Sequence, residues 1–291
     1  MGEGVSGQLG AYSAQYSFVS TTKAYYFDNA SLKAVIWNPQ TMTTTGTIDL
    51  TALNIAGHRA QFSGSHPVRV GNELFYGVSF LLQDASGVAA KSVVVVVNVE
   101  TDVATTIEDT RCNFARDGVL SSDGKIYWAT ETFASAARFL DETKAGPPCL
   151  IRLDPATHTF DDTFLVTLDA LINPDTSGDI AGMLEPGATG TTARIRVLDQ
   201  STPPAGTTPI AVATGPQWKQ WDLTLGDSPT ATAVAGSAAT NGRSVLQNVG
   251  DAIVVPDYFG TSASTALRIA TGDNSAKTTV VGQVRAIARV R

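Results

Sequence analysis

The chain has 291 residues, of which 43% are hydrophobic and only 16% charged, and its net charge is −7. An average soluble chain is roughly 25% charged, so this composition excludes a disordered chain and a coiled coil. The acidic balance, with no run of Lys or Arg, excludes a nucleic-acid partner, and the longest apolar run, Val93–Val97, is too short to cross a bilayer.

In chain order, short β-branched or aromatic segments recur at Ala24–Phe27, Ala34–Trp37, Leu74–Phe80, Ser92–Val99, Ile126–Ala129, Leu150–Leu153, Ile195–Leu198, Ala252–Val255 and Ala266–Ile269. Each reads as a strand. Turn dipeptides bound most of them, among them Asp28-Asn29, Gly71-Asn72, Asp123-Gly124 and Gly250-Asp251, the punctuation of antiparallel hairpins. Helical spacing is rare. The best helical window is Thr163–Ile172, although Val166–Leu168 reads equally well as an edge strand. The fold class is all-β.

The strands also repeat. KAYYFDNASLKAVIWNPQTMTTTGTIDL shares its order of strands and turns with later segments, and the signature strand-plus-turn recurs as VIWNPQTM, VVVNVETD, LIRLDPAT, KQWDLTLG and LRIATGDN. Units of about 45–60 residues with four strands each describe a β-propeller of four-stranded antiparallel blades. A β-sandwich with uneven strands is the rival architecture. About five blades are visible, at 14–56, 57–110, 111–173, 174–240 and 241–291, within a single domain spanning 1–291. Because propellers of six to eight blades are commoner, the expectation is that the chain is the C-terminal part of a larger, about seven-bladed ring. No signal peptide is read in Met1–Gly10, which has neither a basic start nor an apolar stretch.

The runs AYYFDNASLKAVIWNPQTM and PPCLIRLDPATHTFDDTFLVTLDAL, the pair Trp218 and Trp221 in WKQWDL, and the ending TTVVGQVRAIARVR resemble the MxcI-like family. Its members are siderophore-associated extracytoplasmic β-propeller lipoproteins. The resemblance runs from about Ala24 to Arg291 and rests on structural motifs. It implies a periplasmic or outer-membrane-associated binding protein linked to siderophore and iron uptake, and it carries over no catalytic residue. The exported compartment it implies favours a disulfide between Cys112 and Cys149, the only two cysteines; two buried free thiols are the rival reading.

Residues that could carry chemistry are few. His58, His66 and His158 show no metal-ligand spacing, no G-x-S-x-G elbow is present, and the acidic pairs lack a calcium-loop pattern. Neither a metal, a cofactor nor a catalytic residue is read. His158 reads as a solvated turn residue. Arg59, Arg111, Arg116 and Arg243, with His58 and His66, lie at or just before innermost strands, where side chains face the axis of a propeller. Gathered there, guanidinium forks would bind carboxylate or phosphate; the bland alternative is that each pairs with a neighbouring acid. The first functional expectation is therefore a non-catalytic propeller that binds an anionic small molecule or an envelope protein on one face. The alternatives are a lyase, lactonase or quinoprotein-like enzyme with its site at the channel mouth, and a purely structural interaction module.

Overall fold

The computed structural model describes residues 16–62, 67–172, 180–199, 206–235, 239–243, 247–249, 252–258, 264–269, 276–282 and 284. Its strands form five antiparallel sheets, each ordered as in the chain. The first contains β1 (Tyr16–Phe18), β2 (Ala24–Asp28), β3 (Lys33–Asn38) and β4 (Thr43–Asp49). The second contains β5 (His58–Phe62), β6 (Val68–Val70), β7 (Glu73–Leu82), β8 (Ser92–Asn98) and β9 (Val103–Asp109), with β5 and β6 both paired to β7 on its inner side. The third is built from β10 (Ala115–Leu120), β11 (Ile126–Thr130), β12 (Cys149–Asp154) and β13 (Thr159–Thr167). The fourth has β14 (Ala181–Pro186), β15 (Thr192–Leu198), β16 (Trp218–Thr224) and β17 (Ala231–Ala233), and the fifth β18 (Gln247–Val249), β19 (Ala252–Tyr258), β20 (Ser264–Ile269) and β21 (Ala276–Val281). The chain folds as a β-propeller of four-stranded blades.

All nine segments read as strands from the sequence fall on strands of the structure. The ambiguous window Thr163–Ile172 divides: β13 runs to Thr167 and a short helix, α2, takes Leu168–Ile172. Two further helices have no counterpart in the sequence reading. One is α1 (Thr132–Leu140), inserted between β11 and β12, and the other is α3 (Pro209–Ala213), inserted between β15 and β16; the two pack on each other.

The turn after the third strand explains why the repeat is visible. In the first blade, Asn38 Oδ1 accepts the amides of Gln40 and Thr41 at 2.9 and 3.3 Å. Asn98 accepts Glu100 and Thr101 in the second, and Asp154 accepts Ala156 in the third. Each is a side chain standing in for a backbone turn bond. Four residues on, Met42, Asp102 and His158 take φ values of 55°, 58° and 55°, which return the chain into the outer strand. NPQTM, NVETD and DPATH are thus one backbone device written three ways.

The left-handed residue also ties neighbouring blades. Asp102 reaches the preceding blade, where it meets Lys23 Nζ at 2.7 Å and accepts the Tyr25 hydroxyl at 2.5 Å. One blade later His158 repeats the contact: Nε2 lies 2.8 Å from Glu73 and the ring stands edge-on to Phe75. Lys23 and Glu73 sit at equivalent places at the start of a second strand, as do Tyr25 and Phe75 two residues later. His158 is therefore not the freely solvated turn residue expected from the sequence, because the twist between blades brings its turn onto the neighbour.

Cys112 and Cys149 are bonded, with Cα atoms 5.7 Å apart. The bridge joins the entry of β10 to the first residue of β12, and Thr130 on β11 lies between them. Its hydroxyl donates to the Asn113 carbonyl and accepts the Cys149 amide. Replacing both cysteines with serine should lower stability by about 4 kcal/mol in the chain-entropy model for a loop of this length; urea unfolding checks it, and an unchanged midpoint refutes it. A double-mutant cycle on Lys23→Ala and Asp102→Ala, read the same way, should return a coupling of about 0.5–1 kcal/mol for this half-exposed pair.

Candidate binding face

In a four-stranded antiparallel blade, the link between the second and third strands and the link to the next blade leave from the same end. One face of the molecule is therefore built from residues 29–32 and 50–57, 83–91 and 110–114, and the segments carrying α1 and α3. The candidate residues named from the sequence that fall among the described residues belong to this face or to its inner strands, and the structure divides them into three environments.

Arg111 does not point toward the axis. Its guanidinium grips Asp109 Oδ2 at 2.6 and 2.9 Å and donates to the carbonyls of Asp161 and Asp162 on β13. It fastens the outer strand of the second blade to that of the third, with its donors already engaged.

Arg116 and Arg243 do come together, on a carboxylate that the sequence reading overlooked. Glu131 is almost wholly buried (1% exposed); its Oε1 lies 2.7 Å from Arg243 Nε and 3.5 Å from Arg116 Nη2. Its Oε2 accepts the Phe133 amide and caps α1. Asp117 lies 3.4 Å from the other side of Arg116. Burial alone would raise the Glu131 pKa, but the two guanidiniums and the helix-start amide outweigh it and hold the carboxyl below its ordinary 4.5. The same junction contains Arg196, fully buried, which places Nε and Nη2 at 3.2 and 2.9 Å from Glu185 and donates through Nη1 to Thr240 and the Asn241 carbonyl. Next to it Arg194 bonds Asp222 and Gln220. Guanidiniums and carboxylates match one for one, so the junction holds no surplus positive charge for a ligand.

Glu131, Glu185, Arg194 and Arg196 are thus central residues not singled out from the sequence. A signal for two of them was present: Arg194 and Arg196 alternate in an otherwise apolar strand, so both leave the same face of β15 and require buried partners.

Arg59 is the exception. It is exposed on β5 and forms no ion pair among the described residues. With His58, it lines a pocket of about 370 Å³ together with Asn29, Asn54, Gln61 and Gln83. His58 is oriented by Nδ1, 3.0 Å from the Ala56 carbonyl, and Gln83 donates to the His58 carbonyl. No lining residue is acidic. In a chain of net charge −7, this pocket is walled by amides, an imidazole and one unpaired guanidinium. His66 lies outside the described residues. No group of three or more His, Cys, Asp or Glu side chains suited to a metal occurs among the described residues, and no helix among them is long and apolar enough to cross a membrane.

No family model and no curated protein matches the chain. Among solved structures it is similar to a protein from Lactobacillus plantarum, with a TM-score of 0.53 and 12% identity over 92% of this chain and 70% of that one. That likeness shows the fold alone. Looser matches include oligopeptidase B from Leishmania major (TM-score 0.43, 13% identity, 92% of this chain and 34% of that one). Another is the β-propeller domain of the Trilobed protease from Pyrococcus furiosus (TM-score 0.34, 14% identity, 79% and 59%). Neither carries an argument about function.

Removing one partner of a buried pair leaves an uncompensated charge, so Arg196→Met should cost about 3–5 kcal/mol, and adding Glu185→Leu should restore most of it. Thermal or urea unfolding of both variants checks this; equal losses would show that the pair's charges are not what the site depends on. The acid side follows from Glu131. A carboxyl whose folded-state pKa is lowered stabilises fully above its unfolded value and loses that contribution as pH falls through the folded value. Stability of the wild type relative to Glu131→Gln should therefore shrink below about pH 4.5, measurable as converging unfolding midpoints.

Proposed function

We propose that the chain is a non-catalytic binding propeller, a single domain across 1–291 with about five blades visible, that takes an anionic small molecule on the face formed by the second-to-third-strand links. The observation that carries this reading is Arg59: among the described residues it forms no ion pair and lines a pocket with no acidic wall, whereas Arg111, Arg116 and Arg243 are each paired. A guanidinium fork offers parallel N–H donors matched to carboxylate or phosphate, and the amides of Asn54 and Gln61 add neutral donors beside it. The bridge between Cys112 and Cys149 is compatible with an oxidising compartment, which supports the extracytoplasmic placement. The link to siderophore and iron uptake, and association with the periplasm or outer membrane, rest on the resemblance to the MxcI-like family.

Calorimetric titration of the intact protein with di- and tricarboxylates and with inorganic phosphate tests the site. At least one should bind, Arg59→Ala should weaken it by tenfold or more, and Arg59→Lys, which keeps the charge but not the fork, should fall between. Binding unchanged in Arg59→Ala, or no binding by any anion, would overturn the reading.

A further inference from the structure

The segment 239–243 enters the fifth blade, yet its contacts belong to the third and fourth. Thr240 forms a two-way backbone bridge with Trp218 on β16, at 2.7 and 3.2 Å. Its hydroxyl and the Asn241 carbonyl accept from Arg196. The Gly242 carbonyl accepts the hydroxyl of Thr132, the first residue of α1, at 3.0 Å. Gly242 also lies so close to the Trp218 ring nitrogen and the Ala213 carbonyl that an added Cβ would stand 2.6 and 2.7 Å from them. Arg243 then closes onto Glu131, with its own amide turned back to Asn241 Oδ1 at 2.7 Å.

Thr240 and Asn241 are buried, and Arg243 is 27% exposed. A five-residue segment is therefore seated in a polar slot made by two other blades, held by hydrogen bonds and charge. Such a seat differs from apolar packing in kind. Its strength depends on keeping every donor and acceptor matched, because one unmatched buried group loses its full solvation.

We infer that residues 239–243 act as a strap that couples the fifth blade to the third and fourth, with Glu131 as the residue that positions it. The strap and the strands it leads into form a local opening unit, distinct from the apolar core of the second and third blades. Glu131 serves both ends of the coupling, since the same carboxylate caps α1 and holds Arg243. When it lets go, the helix cap and the blade entry loosen together while the sheets packed by valines and aromatics stay closed. This goes beyond the anion pocket and is independent of it, because none of residues 239–243 lines that pocket.

Hydrogen-exchange mass spectrometry on the full chain tests it. In Arg243→Gln, which removes a partly exposed guanidinium, peptides covering 247–281 and 132–140 should exchange at least tenfold faster, and peptides covering 73–109 should keep their wild-type rates. Thr132→Val, which deletes one hydroxyl under the strap, should give the same pattern more weakly. Asp222→Asn, which disturbs the neighbouring Arg194 pair away from the strap, should leave 247–281 unchanged. Unaltered exchange in 247–281, or a uniform rise across the whole chain in both strap variants, would overturn the inference. Should Arg243→Gln not fold, the contrast between Thr132→Val and Asp222→Asn decides alone.

Discussion

Val93 to Val97 are all shut away from solvent, and alternate ones belong to different cores. Val93, Val95 and Val97 join Phe27, Phe62 and Tyr76 between the first and second sheets, whereas Val94 and Val96 join Trp128, Ile151 and Leu153 between the second and third. A strand apolar on both faces must find a sheet on each side, and this is the constraint that arranges the molecule. At about 2 kcal/mol for each buried valine, the run alone commits the second blade to two neighbours. The low charge content has the same origin, since positions that would carry charged side chains in a one-sided sheet are here interior.

The constraint also determines where charge can go. Where inner strands of successive blades converge with α1, buried arginines occur, but only with carboxylates and hydroxyls arranged around them: Arg116 with Asp117 and Glu131, Arg196 with Glu185 and Thr240. An interior guanidinium without such a partner would be too costly to keep. Arg59 faces solvent and carries no such requirement. Its lack of an ion-pair partner among the described residues is therefore not a defect of folding, and it leaves a fork free, unlike the guanidiniums matched to carboxylates in the buried junction. Burial separates arginines of structure from the arginine available to a ligand.

Much of the fold was legible in the sequence because its signals are local. Strand segments such as Ala24–Phe27 and Ile126–Ala129 declare themselves by composition, and the blades by Asn38, Asn98 and Asp154 at one place in each repeat. Helix α1 was not read, although Phe133, Ala136, Ala137 and Leu140 have helical spacing, because two of the four positions are alanines, which mark a face weakly. The candidate site was legible only as a list. Arg59, Arg111, Arg116 and Arg243 share a place relative to inner strands, but which acid each meets is decided by packing between blades: Glu131 and Arg243 are 112 residues apart. Arg111 illustrates the limit, since nothing near it in the chain announces the carbonyls of Asp161 and Asp162.

The turn after the third strand shows how a repeat can be strict and variable at once. Its first side chain must be Asn or Asp, because only a short acceptor closes on the amides two and three residues ahead. The fifth position must accept a positive φ, and yet it is Met42, Asp102 or His158, three residues of unlike chemistry. What the position supplies is reach toward the preceding blade. The chemistry follows from what waits there: Lys23 and Tyr25 for the acid, Glu73 and Phe75 for the imidazole. The two described ties have opposite polarity, with the cation on the earlier blade in one and the carboxylate in the other. An exchanged neighbour, the third blade set against the first, would place the His158 imidazole rather than a carboxylate beside Lys23 and forfeit that ion pair. The same turn that fixes the backbone of each blade thus also discriminates which blade lies beside it.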